Sequence, residues 1–320
     1  MTDKVGMILE KWLPPVFFRK KTVPSDRPPV WKRSSQSSQR SQSRELFGVS
    51  ERKWNAGLLI ALAAGIFFLS YPTIADYLNN FRQYKAIREY AERVSGMRPE
   101  EYAKYIGDAK EYNQRLARTG FNWYPTEEFL AEYDQMLNFN NVGNMGYIDI
   151  PKINVKLPIY HGISDDVLQT SIGHMEQTSL PVGGAGSHCV LSGHRGLPSA
   201  KLFSDLDKLT EGDVFTISVL NETYSYEVDQ IRVVVPTNLS ELKILPGEDL
   251  CTLVTCTPYG INTHRLLVRG HRVENANGNA QVVADALQME PAFVAPFIMI
   301  PFLVILLMVL FLQPVGRKAG

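Results

Sequence analysis

Two runs without a charged side chain constrain what this 320-residue chain can fold into. The first covers residues 55–75, and its centre, 57–69, contains only Leu, Ile, Ala, Gly and Phe. About 20 such residues at a 1.5 Å rise cross the hydrocarbon layer, so the run reads as a transmembrane helix. The second covers residues 291–316, where Pro296 and Pro301 would kink a spanning helix without preventing insertion. Basic residues sit on the outer side of both runs, Arg52 and Lys53 before the first and Arg317 and Lys318 after the second. By the positive-inside rule both termini are cytoplasmic, the chain is a two-pass cell-membrane protein, and the intervening domain is extracytoplasmic. A cleaved signal peptide fits the first run poorly, because a basic region of more than fifty residues precedes it. A buried core helix fits the second poorly, because it has no polar face.

The remaining pattern sets the expected domains. Residues 1–54 are basic and rich in Ser, Gln, Arg and Pro, with too few apolar groups to offset chain entropy, and read as a disordered cytoplasmic tail. After the 55–75 span, residues 76–140 are helical in pattern: Tyr77, Phe81, Tyr84, Ile87 and Tyr90 recur at helical spacing, and Pro125-Thr-Glu-Glu128 opens a further helix. Residues 141–275 change texture to short alternating segments separated by turn residues. Strands are expected at 146–151, 155–160, 187–192, 214–220, 224–235, 251–255 and 265–268, with a hairpin turn at Asn221-Glu222 and short helices at 164–169 and 199–206. Many short strands with brief helical insertions indicate a mainly β fold, a small closed or nearly closed barrel. Residues 276–290 form a linker, 291–315 the second transmembrane helix and 316–320 a cytoplasmic tail.

Lys plus Arg and Asp plus Glu both number 33, so the overall balance gives no support for a nucleic-acid partner. Three cysteines, Cys189, Cys251 and Cys256, cannot all pair within one chain. A spare thiol outside the cytoplasm raises the question of chemistry.

Cys256 ends the apolar segment Thr252-Leu-Val-Thr-Cys256, where a strand can deliver a thiol into a groove, and the chain then passes Thr-Pro-Tyr-Gly260. If the segments around Cys256 and Arg265 are hairpin neighbours, a guanidinium lies beside the sulfur, where the oxyanion of a tetrahedral intermediate would form. A second apolar segment, Cys189-Val-Leu-Ser-Gly-His194, ends at a histidine in a glycine-flanked turn. A cysteine at its ordinary pKa is mostly thiol near neutrality, so a neighbouring cation promotes the nucleophilic form, and a histidine can protonate a departing amine. Each residue alone also has a structural reading: a core thiol, a turn histidine, a solvated arginine.

Together, Ser192-Gly-His194-Arg, Thr252-Leu-Val-Thr-Cys256 and Arg265 resemble the sortases. The longer strings Val190-Leu-Ser-Gly-His-Arg-Gly-Leu-Pro-Ser-Ala-Lys-Leu-Phe203 and Thr255-Cys-Thr-Pro-Tyr-Gly-Ile-Asn-Thr-His-Arg265 resemble class C, the pilin-polymerising branch. That resemblance covers roughly residues 145–272 and implies a sortase-like barrel preceded by a helical lid region and flanked by two membrane helices. It implies that Cys256 attacks the Thr-Gly bond of an L-P-x-T-G-like sorting signal to give a thioester. His194 is then general acid and base, and Arg265 holds the substrate backbone and the oxyanion. The acceptor is a pilin lysine amine, or a peptidoglycan amine in the wall-anchoring variant of the same chemistry, and no metal or organic cofactor is implied. Class C relatives carry an Asp-Pro-aromatic lid motif over the cysteine. Here Gly120-Phe-Asn-Trp123-Tyr-Pro125 has aromatics without an Asp-Pro pair, so Trp123 either takes that anchoring role or packs between two helices.

Cys189 lies five residues before His194 and Cys251 five before Cys256. If the two strands run parallel with their ends level, these cysteines are neighbours on the face opposite the catalytic pair, as two reduced thiols or as a disulfide. A third reading makes the chain a surface protein that is itself a sortase substrate, given its apolar stretch followed by Arg317-Lys318. The residues ahead of that stretch lack an L-P-x-T-G pattern.

Overall fold

A computed structural model describes residues 51–120, 125–139, 141–275, 300 and 303–305. Residues 1–50 of the expected basic tail, the linker, Trp123 and most of the second apolar run therefore lie outside the described residues, while residues 51–54 of that tail are helical. The described residues from Leu58 onward belong to one compact unit, which holds the barrel.

Helix α1, Glu51–Ser95, is 45 residues long. It is the one helix among the described residues long and apolar enough to cross a membrane. Its apolar half is unpacked, with Leu58, Phe67, Phe68 and Leu69 exposed, whereas Asn79, Gln83, Ile87 and Tyr90, at spacings of three and four, turn one buried stripe towards the rest of the molecule. The expected division at residue 75 is thus a change of surroundings and not a break in the backbone: the helix continues through Pro72. Polar side chains on the packed stripe tie it to loops of the barrel. Asn79 Nδ2 donates to the Ser199 carbonyl at 2.7 Å and Gln83 Nε2 to that of Thr170 at 2.5 Å, while Asp76 accepts from the Lys201 amide at 2.9 Å.

Helices α2, Pro99–Thr119, and α3, Glu127–Gln135, follow. Proline at the start of α2 has no N–H to waste, and Thr126 caps α3 by accepting from the Phe129 amide at 3.3 Å. Asn113 on α2 both donates to the Leu180 carbonyl and accepts from its amide, which fastens this helix to the barrel.

Eight strands close a barrel in the order β1-β2-β3-β4-β7-β8-β6-β5, with β5 returning to β1. They are β1 Asn144–Ile150, β2 Val155–His161, β3 Ile172–His174, β4 Ser187–Ser192, β5 Val214–Val219, β6 Glu222–Val234, β7 Asp249–Thr257 and β8 His264–Val273. Closure leaves no edge strand for aggregation. Side chains such as Ile148, Ile159, Leu191, Phe215, Leu253 and Val268, all 0% exposed, fill one continuous core.

Three expectations are corrected. β3 was not expected, since three residues give no alternation to read. The turn between β5 and β6 uses Leu220 and Asn221, with Glu222 already paired to Val219. Residues 199–206 form no helix: they run as turns and a bridge between Leu197 and Ala200, followed by a 3-10 turn at Leu206–Lys208. Their apolar spacing reflects burial of Ala200, Leu202, Phe203 and Leu206 in the core, with Leu202 at φ 39°, outside helical space. The expected helix at 164–169 is the short α4, Asp165–Leu168.

Candidate active site

β4 and β7 run parallel at the centre of the sheet, in the register Cys189 to Cys251 through Ser192 to Val254. Beyond the last ladder pair, the Gly193 amide donates to the Val254 carbonyl at 3.0 Å and the buried Thr255 hydroxyl donates to the Gly193 carbonyl at 2.8 Å. These two bonds carry the pairing one residue past the strand and set His194 at the level of Cys256. Gly193 is required there, because a Cβ would meet the Phe203 ring at 2.7 Å. The Phe203 amide then donates to the His194 carbonyl at 3.1 Å and closes the turn.

On the other side of β7, β8 is its hairpin partner, and Cys256 stands directly across from Arg265. Register partners in an antiparallel pair have Cβ atoms about 5 Å apart, within the span of a thiol and a guanidinium. Arg265 Nη1 donates to the Asn262 and His264 carbonyls, both at 3.2 Å, so the loop it closes orients its side chain.

Cys256, His194 and Arg265 are all half-buried and line one groove with a cavity volume of about 210 Å³. Its walls are apolar, from Val234, Pro236, Leu239 and Leu242 on the β6–β7 side and Ile163 and Met175 opposite. Such a groove can take an extended apolar peptide and present one of its carbonyls to a sulfur flanked by an imidazole and a guanidinium.

Cys189 and Cys251 are neighbours in register, wholly buried, and unbridged. The disulfide alternative is not what the structure contains. Burial raises the Cys251 thiol well above its ordinary value.

Sequence reasoning missed the polar network behind this pair. The ring of His174 on β3 has Nδ1 3.0 Å from the Tyr133 hydroxyl of α3 and Nε2 2.9 Å from the Ser179 carbonyl. The same hydroxyl accepts from the Gly162 amide at 3.0 Å. One α3 side chain thereby ties together two parts of the barrel wall, Gly162 after β2 and His174 on β3, and nothing in local spacing signals it.

Comparison with known proteins places this geometry. The family profile described as the sortase domain matches residues 148–273. Sortase A of Streptococcus agalactiae is 31% identical over 121 residues, 37% of this chain and 49% of that protein, so the chain spans about half the length of this curated relative. The crystal structure of sortase C1 from Streptococcus agalactiae is 59% identical, with 60% of this chain and 99% of that chain covered and a TM-score of 0.59. Clostridium perfringens sortase C, solved with a C-terminal cell wall sorting motif, is 44% identical at a TM-score of 0.53, covering 60% and 99% of the two chains. The chain belongs to the sortase family of cysteine transpeptidases, in its class C branch. The reading as a non-enzymatic sortase substrate has no support in these likenesses.

Proposed function

We propose that this chain is a membrane-anchored transpeptidase that joins pilin subunits. In this reading the Cys256 thiolate attacks the threonine carbonyl of an L-P-x-T-G-like signal. The Thr-Gly bond breaks, and His194 protonates the glycine amine as it leaves. Arg265, with Nη2 and Nε unengaged among the described residues, stabilises the oxyanion of each tetrahedral intermediate. A lysine amine of the next pilin, losing its proton to His194, then attacks the thioester; an isopeptide bond forms and Cys256 is released.

The observation that carries this reading is the pairing of Cys256 with Arg265 across the β7–β8 hairpin, with His194 on the same groove. Likeness to sortase C structures, one of them holding a sorting motif, supports the substrate class. Helix α1 is the anchor, residues 291–315 supply a second pass with both termini cytoplasmic, residues 76–140 are the lid region in which Trp123 takes the anchoring role, and the barrel of 141–275 is extracytoplasmic. Incubating the enzyme with a pilin that carries a sorting signal tests the acceptor. A ladder of covalent multimers is expected; monomeric product formed only with a peptidoglycan amine would mean wall anchoring.

A further inference from the structure

Arg195 follows His194 directly, and its side chain is only 10% exposed. Its guanidinium reaches three places at once. Nη2 donates to Asp207 Oδ2 at 2.5 Å, Nη1 donates to Thr257 Oγ1 at 3.4 Å, and the guanidinium carbon lies 5.8 Å from the centre of the Tyr259 ring. Thr257 is the residue after Cys256, and Tyr259 stands in the loop between β7 and β8.

From these contacts we infer that Arg195, held by Asp207, is a positioning residue that locks the segment after Cys256 to the segment after His194. This rests on the roles proposed above for those two residues. The turn that carries Arg195 is tied down independently: the Gly196 amide donates to Ser204 Oγ at 3.1 Å. Gly196 has φ +77°, and a Cβ there would meet the Tyr259 ring at 3.0 Å, so the ring lies against bare backbone. Asp207 belongs to the 3-10 turn Leu206–Lys208, whose Leu206 is rooted in the core. The guanidinium thus joins the 3-10 turn to the two connections that flank the groove.

Stability alone accounts poorly for this residue. An Asp207 carboxylate that is nearly half exposed offers a weakly stabilising ion pair, and Arg195 Nε is buried with no acceptor, which costs stability. What a planar fork supplies, and a point charge does not, is fixed direction towards several partners.

The test is steady-state cleavage of a fluorogenic L-P-x-T-G peptide by the full chain, normalised to the alkylatable Cys256 thiol. A misplacement of about 1 Å between reacting groups can cost about 100-fold in rate. Arg195→Met is therefore expected to lower kcat about 10- to 100-fold with KM within about twofold. Arg195→Lys recovers part of the loss, and Asp207→Asn shows a smaller decrease. Combined with Arg195→Met, Asp207→Asn adds nothing further, since both act through one link. Unchanged kcat in Asp207→Asn and Arg195→Met, a loss confined to KM, or additive losses would overturn the inference. If Arg195→Met fails to fold, Asp207→Asn and Arg195→Lys decide: full kcat in both refutes it. Cys256→Ala separates this from the broader reading, because turnover persisting there defeats the proposed chemistry itself. Turnover lost there but normal in the Arg195 variants defeats only the positioning role.

Discussion

Tyr90 gives the sharpest test of how α1 holds the barrel. Its ring is 2% exposed, and its hydroxyl donates to the Met145 carbonyl at 2.8 Å and accepts from the Leu220 amide at 2.7 Å. Both partners are groups that the β-ladders leave over. Met145 sits at the irregularity where β1 shifts register against β2, and Leu220 is a turn residue at φ 51°. Replacing Tyr90 with Phe keeps the edge contacts to Phe139 and Tyr147 but strands one buried N–H and one buried C=O. At about 1–3 kcal/mol for each unpaired buried group, and allowing the carbonyl some relief through its second lone pair, the cost is about 2–4 kcal/mol. For a domain of this size about 1 kcal/mol moves Tm by roughly 2–4 °C, so Tyr90→Phe is expected to melt roughly 5–15 °C below the wild type. Thermal unfolding of the full chain in detergent, followed by near-ultraviolet circular dichroism, measures it. A shift below about 2 °C would show that the hydroxyl does not bridge helix and barrel.

Other outcomes follow from the same contacts. His188 is buried, with Nδ1 donating to the Lys243 carbonyl at 2.8 Å and Nε2 accepting from the Thr252 hydroxyl at 2.7 Å. Burial, reinforced by the nearby Arg269 charge, holds its pKa below the ordinary value of 6.5. The unfolded chain therefore takes up the proton first, and this contribution to stability is complete above about pH 6.5 and lost as pH falls below it. Urea unfolding between pH 7.5 and 5 should show a steeper decline in the wild type than in His188→Gln; parallel profiles would contradict it. Thiol counting on the denatured protein without reductant should give three free thiols, and in the folded protein Cys256 should react first, since it alone is not fully buried. Only one free thiol under those conditions would show a bridge between Cys189 and Cys251. In transpeptidation assays Cys256→Ala should lose essentially all activity and His194→Ala and Arg265→Ala most of it; near-normal rates in any of the three would remove that residue from the mechanism.

The barrel and its groove were legible from sequence wherever the signal was local. The apolar segment 187–192 coincides with β4, and the spacing from Cys256 to Arg265 matches a hairpin that pairs them. Equal offsets of Cys189 and Cys251 from the two strand ends likewise anticipated their register. Long-range features were not legible. β3 is too short to show a period, and the core spacing of Ala200, Leu202, Phe203 and Leu206 imitates a helix because all four point into the same interior. The Tyr133–His174 contact and the bridge from Arg195 to Asp207 and Thr257 join segments whose approach only the closed barrel determines.

The most direct measurement is to trap the acyl-enzyme. The full chain is incubated with a peptide bearing a sorting signal, without an amine acceptor, and digested for mass spectrometry. The account predicts the peptide, cut after threonine, as a thioester on Cys256, released by a lysine amine and absent in Cys256→Ala. Cleavage that proceeds with no adduct on Cys256, or with the adduct on another residue, would contradict it.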